Sequence, residues 1–172
     1  IAWEGGLYLY SGDEHMRRRE YEKAIEAFSN SLYQQRDYLS NLERWRAQSW
    51  TRPWLEPTRI GIVTRLNRLG NAYRLAGKYQ EAMEQYQRAF DSIKEWGLKY
   101  PYENGLYEAV GEVYRLQKNL PQALENYQKA LALAESQRRP AAIRSASARV
   151  GDILRQTGKP AEAIPHYQKA IQ

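Results

Sequence analysis

Apolar and small residues recur along this chain on one template. The clearest copy reads Leu66, Leu69-Gly70 and Tyr73, then a break at Gly77, then Tyr79, Ala82, Tyr86 and Ala89. On a helix of 3.6 residues per turn, Leu66, Leu69 and Tyr73 share one stripe, and Ala82, Tyr86 and Ala89 share one stripe of the next. The pattern predicts two amphipathic helices joined by a tight turn. It returns as Tyr107, Val110-Gly111, Tyr114, Leu120, Ala123, Tyr127 and Ala130, and again as Val150-Gly151, Leu154, Pro160, Ala163, Tyr167 and Ala170. Gly70 and Gly111 stand 41 residues apart, and Gly111 and Gly151 stand 40 apart. Self-similarity at such a period marks a helical solenoid, whose units cannot bury an apolar face alone and do so by stacking.

A degenerate first copy aligns on Gly12, with Tyr21, Ala24 and Phe28 at the offsets that Tyr79, Ala82 and Tyr86 keep from Gly70. Ser11, His15 and Ser31 replace the usual Leu, aromatic and Ala, and Gly5-Gly6 weakens the first helix. Gly12 to Gly70 is 58 residues, so the surplus falls between Ser31 and Ile60. Leu32, Leu39, Leu42 and Trp45 keep a helical period, which extends the second helix to about Arg46 or Ser49. The run Trp50-Thr51-Arg52-Pro53-Trp54-Leu55-Glu56-Pro57 then reads as a loop, with Thr58 as cap of the next helix.

The pattern resembles the tetratricopeptide repeat (TPR), a helix-turn-helix with an aromatic or Leu, a Leu-Gly pair and an aromatic on its first helix and Ala, aromatic, Ala on its second. The resemblance covers the chain from about Gly5 to Gln172. It implies an all-α fold, a right-handed superhelical solenoid forming a single domain over 1–172. Repeat 1 covers about 5–49, the Trp/Pro insertion loop 50–58, repeat 2 about 59–97, repeat 3 about 103–138, and a truncated repeat 4 about 140–172. Helices are expected near Arg59 to Ala76 and Tyr79 to Trp96, Glu103 to Gln117 and Pro121 to Gln137, and Pro140 to Gln156 and Pro160 to the end. Pro165 is expected to kink the last helix modestly. The family repeat is usually 34 residues long. Periods near 40 are found in multi-repeat bacterial TPR proteins and in the cargo-binding arrays of motor-protein light chains.

Composition narrows the chemistry. With 42% hydrophobic and 27% charged residues the chain fits an ordinary globular class. No apolar run reaches the roughly 20 residues needed to cross a bilayer. There are no Cys, which removes disulfides and thiolate chemistry, and the only imidazoles are His15 and His166, both read as structural or surface groups. No metal or cofactor is expected, and no nucleophile, phosphate loop or paired carboxylate points to an enzyme. A cytoplasmic location is the expectation. The chain begins with Ile and stops inside a second helix, so it reads as a segment of a longer protein. The net charge of +6 comes mainly from eighteen Arg against eight Lys, without any motif for nucleic acid.

In TPR arrays the first helices line a concave groove. The resemblance places Asn67, Asn71 and Arg74 there in repeat 2, Glu108, Glu112 and Arg115 in repeat 3, and Arg149, Asp152 and Arg155 in repeat 4. Asn71, Glu112 and Asp152 form one row and Arg74, Arg115 and Arg155 another, three residues on. At that spacing Glu112 can pair with Arg115, and Asp152 with Arg155. The row is either a set of self-neutralising pairs or a mixed-sign groove for a peptide. A chaperone-type carboxylate clamp would align with Asn67, Asn71, Ala109, Ser145 and Arg149, where only Asn71 and Arg149 match. The expected partner is another protein or peptide, the chain acting as adaptor or scaffold. Self-association through repeat ends that expose Ile164, Tyr167 and Ile171 is the alternative. A second surface is Trp45, Trp50, Trp54 and Arg52 in the insertion, whose rings either fold back onto the helices or stand out as anchors; binding of nucleic acid or an anionic membrane through its arginines ranks last.

Overall fold

The computed structural model describes residues 2–45 and 51–171, with side chains from residue 6 onward. All eight helices among the described residues are α-helices, and the fold is an all-α helical repeat. Two compact units divide the chain, Ile1–Tyr100 and Pro101–Gln172. The first holds α1 (Ala2–Arg17), α2 (Tyr21–Arg44), α3 (Arg52–Leu75) and α4 (Tyr79–Trp96). The second holds α5 (Glu103–Leu116), α6 (Leu120–Ser136), α7 (Pro140–Gln156) and α8 (Pro160–Ala170). Within each unit, helices adjacent in sequence pack on one another, and α5 also meets α7.

One joint recurs in every repeat. A glycine on the first helix faces an aromatic ring sixteen residues later on the second: Gly12 with Phe28, Gly70 with Tyr86, Gly111 with Tyr127, and Gly151 with Tyr167. A Cβ on Gly70 would lie 2.5 Å from the Tyr86 ring, and one on Gly111 would lie 2.8 Å from the Tyr127 ring. Only a hydrogen at these positions lets the ring lie against the backbone. Phe28, Tyr86 and Tyr127 are buried to at least 99%. Around them, Ala82, Ala89, Leu66 and Ala72 close the core of repeat 2, and Ala123, Ala130, Val150 and Ile153 that of the second unit.

Each first helix is closed by the residue seven after its glycine. Arg19, Gly77, Lys118 and Gly158 occupy that place with positive φ of 60°, 77°, 62° and 78°. The left-handed residue turns the chain back sharply, and Glu20, Lys78, Asn119 and Lys159 N–H groups then reach back to carbonyls of the helix just ended. Gly97 likewise ends α4 with φ 60°.

The insertion differs from its expected loop. α2 stops at Arg44, and α3 starts at Arg52, so most of 50–58 is helix. Pro53 sits in the first turn, where its missing N–H has no helical partner to lose, and Pro57 removes one bond in the second. Burial of Thr51 and Thr58 and the 2.9 Å Arg59–Glu43 ion pair favour the helical extension over the local break signal. Thr58 is therefore inside the helix and caps nothing. α1 runs through Gly5 and Gly6, and α8 runs through Pro165. Ser31, at an Ala position, accepts 2.8 Å from Nε of the buried Arg65, whose Nη1 donates to the Gly61 carbonyl at 3.1 Å. His15 contacts Glu20 at 2.6 Å through Nδ1, a structural tie across the first turn.

Candidate functional site

The residue after each joint glycine is polar: Asp13, Asn71, Glu112 and Asp152. Where the opposing ring is Tyr, its hydroxyl donates to this residue, at 3.0 Å from Tyr86 to Asn71, 2.8 Å from Tyr127 to Glu112 and 2.9 Å from Tyr167 to Asp152. In each of these repeats the polar residue is thus anchored by the tyrosine packed on the preceding glycine. The repeat pattern places these tyrosines in the core, and the sixteen-residue spacing is the signal that could have linked their hydroxyls to the row above.

In the second unit the row gathers an ionic network. Glu112 accepts from Arg115 Nε and Nη2 at 2.9 and 2.6 Å and from Arg149 Nη1 at 3.3 Å. Glu108 accepts from Ser145 Oγ at 2.8 Å and Arg149 Nε at 3.1 Å. The Arg149 guanidinium also stands 5.7 Å from the centre of the Tyr127 ring. Burial by itself would raise the Glu112 carboxyl. The Arg115 and Tyr127 hydrogen bonds and the charges of Arg115 and Arg149 together outweigh it, holding that carboxyl at about 2. Burial and the Glu112 carboxylate push the Tyr127 phenol upward. These groups, with Asp152 and Gln156, line an open cleft of ≈ 230 Å³.

The expected Glu112–Arg115 pair is present. Asp152 and Arg155 do not pair; Asp152 is held by Tyr167, and Arg155 has no hydrogen-bond or ion-pair partner among the described residues. The difference lies in the length of the acid: Glu112 reaches both its tyrosine and the arginine three residues on, while the shorter Asp152 reaches only the tyrosine. Arg155 and Asp152 are both exposed on α7.

In the first unit the row is neutral at its centre. Asn71 accepts from Tyr86 and from Arg74 Nη2, the latter at 3.3 Å, and donates to Asn67 Oδ1 at 3.2 Å. Arg74 Nε is buried without a hydrogen-bond partner. Burial first of all raises the Tyr86 phenol to about 12. Arg68, two residues before Gly70, forms an ion pair with Asp13. Arg149 holds the same register before Gly151 and meets Glu112. The rule, an arginine two before one glycine bridging to the acid one after the preceding glycine, is absent from the sequence-based expectations. Trp45 and Trp54 are 51% and 56% exposed, so these rings stand out from the helices. Arg52 is exposed beside them in sequence, and Trp50 lies outside the described residues. Tyr167 is half-buried against Gly151, unlike Ile164 and Ile171, which are 55% and 85% exposed. The described residues hold no cluster of metal-ligating side chains, and no helix among them is long and apolar enough to cross a membrane.

Two models of the tetratricopeptide repeat match the sequence, one over residues 102–172 and the other over residues 63–92. Among solved structures, the chain is similar to BtubC (BKLC) from P. vanneervenii, with a TM-score of 0.74 at 17% identity over 96% of this chain and 61% of that one. It therefore spans about three fifths of that relative's length. It is also similar to a Podosopora anserina putative kinesin light chain with nearly identical TPR-like repeats (TM-score 0.73, 14% identity, 99% of this chain and 75% of that one). A third is aspartyl phosphate phosphatase F from Bacillus subtilis (TM-score 0.72, 17% identity, 98% of this chain and 39% of that one). At such identities the likeness is one of fold. No curated protein matches the sequence.

Proposed function

The chain belongs to the tetratricopeptide-repeat family, and on that premise we propose that it is a protein–protein interaction module binding a peptide or partner domain on the first-helix face of its repeats. Such repeats are in general non-enzymatic interaction modules. The observation that supports the reading is the open cleft lined by Glu112, Arg115, Tyr127, Arg149, Asp152 and Gln156, with the exposed Arg155 next to Gln156 in sequence on α7. Arg115 and Arg149 are committed to Glu112 and Glu108, so they shape the floor. Arg155, Asp152 and Gln156 remain to meet a partner. A guanidinium and a carboxylate four residues or fewer apart suit a peptide that offers both an acidic side chain and backbone or basic donors. On α3, Asn67 and Arg74 offer a neutral amide and a guanidinium instead.

The test is affinity capture from a native extract, comparing the wild-type chain with an Asp152→Ala, Arg155→Ala double variant and an Asn67→Ala, Arg74→Ala double variant, each of verified helicity. A protein retained by the wild type and lost with either pair supports the groove reading. A protein retained by all three would sink it and move attention to Trp45, Trp54 and Arg52. Self-association is a second reading, favoured by the exposure of Ile164 and Ile171 on α8. It predicts a mass that rises with concentration and falls in an Ile164→Glu, Ile171→Glu variant. Tyr167 is a poor choice for that test because it packs on Gly151.

A further inference from the structure

The arginines of the ionic network each face a carboxylate, as do Arg17, Arg18, Arg59 and Arg68 in the first unit. Arg36 on α2 and Arg88 on α4 face no carboxylate, and neither do Arg65 and Arg74, which bond neutral groups instead. Arg36 and Arg88 line one cleft of ≈ 270 Å³ together with Ser29, Tyr33, Tyr73 and Gln85, and the cleft contains no acidic residue. Arg36 has no hydrogen-bond or ion-pair partner among the described residues, and Arg88 is held only by a 2.8 Å bond to the neutral Gln85. Burial, and then the charge of Arg88, disfavour the protonated form of Arg36, although both arginines keep exposed surface. Two like charges lining one open cleft repel weakly through solvent, and an anion between them would turn that repulsion into attraction.

We propose that this cleft is an anion site for a dianionic phosphomonoester, carried by a phosphorylated side chain of a partner or by a small phosphorylated molecule. A guanidinium presents a planar fork that matches two phosphate oxygens, and two forks from neighbouring helices can share three. Ser29, Tyr33, Tyr73 and Gln85 also line the cleft and carry neutral hydrogen-bonding groups. The buried Leu32 and Leu69 form part of the wall. A carboxylate would leave much of this donor set unused, since it has two oxygens and one charge. None of these residues belongs to the Asn67, Asn71 and Arg74 row, so the site stands or falls independently of the groove.

The experiment is calorimetric titration of the full chain with inorganic phosphate, O-phosphoserine and a phosphoserine-containing peptide, at ionic strength held constant with chloride. Acetate and the unphosphorylated peptide serve as controls. Saturable binding of phosphate and phosphoserine is expected, with acetate at least about tenfold weaker, and an Arg36→Gln, Arg88→Gln variant of native helicity should lose at least about tenfold in affinity. Arg88→Gln alone provides a second, milder variant if the double one is poorly folded, and should show a partial loss. Tighter binding of the phosphopeptide than of phosphoserine assigns the source to a modified protein, and equal binding assigns it to a small molecule. Equal response to phosphate and chloride, or unchanged affinity in a folded Arg36→Gln, Arg88→Gln variant, would overturn the proposal.

Discussion

Repeat 1 and repeat 3 build the same joint, and their rings differ by one oxygen atom. In both, a glycine lies under an aromatic ring, and the next residue is an acid. In repeat 1 the ring is Phe28, which has no hydroxyl, and Asp13 is left to the Arg68 of the following repeat. In repeat 3 the ring is Tyr127, whose hydroxyl takes part of Glu112 before Arg115 and Arg149 take the rest. The phenol ties the acid to the core, and the longer Glu112 with Arg115 three residues on, where repeat 1 has the shorter Asp13 and Met16, completes the network. The difference shows in exposure: Glu112 has 16% of its side chain exposed and Asp13 has 42%.

The most severe way to break the comparison is to remove the joint both repeats share. Gly70→Val should cost about 3 kcal/mol, because the added Cβ meets a fully buried Tyr86 ring that has nowhere to move. Gly151→Val should cost clearly less, since Tyr167 on α8 is only half-buried and can give way. Chemical denaturation of the two variants checks the order. A larger loss at Gly151 would mean that the ring contact is not what requires glycine.

Removing only the oxygen is the next step. Tyr127→Phe should cost about 1.5 kcal/mol, the value of a hydrogen bond to a charged group, and leave repeat 3 resembling repeat 1. The reciprocal Phe28→Tyr should draw Asp13 inward and weaken its coupling to Arg68. That coupling is worth at most about 1 kcal/mol because both partners are well exposed. A double-mutant cycle on Asp13 and Arg68 in each background measures it.

Acid should dissolve the difference in a defined window. The Glu112 carboxyl is held at about 2, below its ordinary 4.5. The native state therefore binds that proton less readily than the unfolded chain does. Its contribution is complete above pH 4.5 and is lost as pH falls through about 2. Thermal unfolding followed across that range should show the loss in the wild type, and Glu112→Gln should lack this component. Arg115 and Arg149 stay protonated throughout, so they do not contribute a step of their own.

The smallest effect is expected at the turns. Lys118 has φ 62° where the equivalent residues of repeats 2 and 4 are Gly77 and Gly158. Lys118→Gly should stabilise by about 0.5 kcal/mol, the relief of left-handed strain exceeding the added freedom of the unfolded chain. A matching gain should follow at Arg19, and a melting curve of each variant is sufficient to see it.

Much of this molecule is legible in its residue pattern. Helix α4 and helix α7 begin and end where the pattern of Tyr79, Ala82, Tyr86 and of Pro140, Val150-Gly151 places them. The reason is local: amphipathic period, a left-handed Gly77 and Gly97, and proline in the first turn of α7 leave one consistent answer. The Pro53–Pro57 segment shows the opposite case. Its loop signals are equally local, yet burial of Thr51 and Thr58 and the contact of Arg59 with Glu43 make it helix.

The candidate site divides along the same line. Spacing alone puts Asn71, Glu112 and Asp152 on one row and sets Arg115 within reach of Glu112, because residues three apart on a helix share a face. Which of their charges are paired is settled by side-chain reach between helices. Arg149 comes from 37 residues away to hold Glu112, Tyr127 comes from 15 away, and the shorter Asp152 leaves Arg155 unpaired. The Arg36 and Arg88 cleft has no periodic signature at all, since it joins residues from helices far apart in sequence. By itself the sequence determined the repeat, its helices and the glycine beneath each ring, because those depend on period and on the volume of single residues. Tertiary structure alone decided which charges are neutralised and which remain, because that depends on distances between helices that no period encodes.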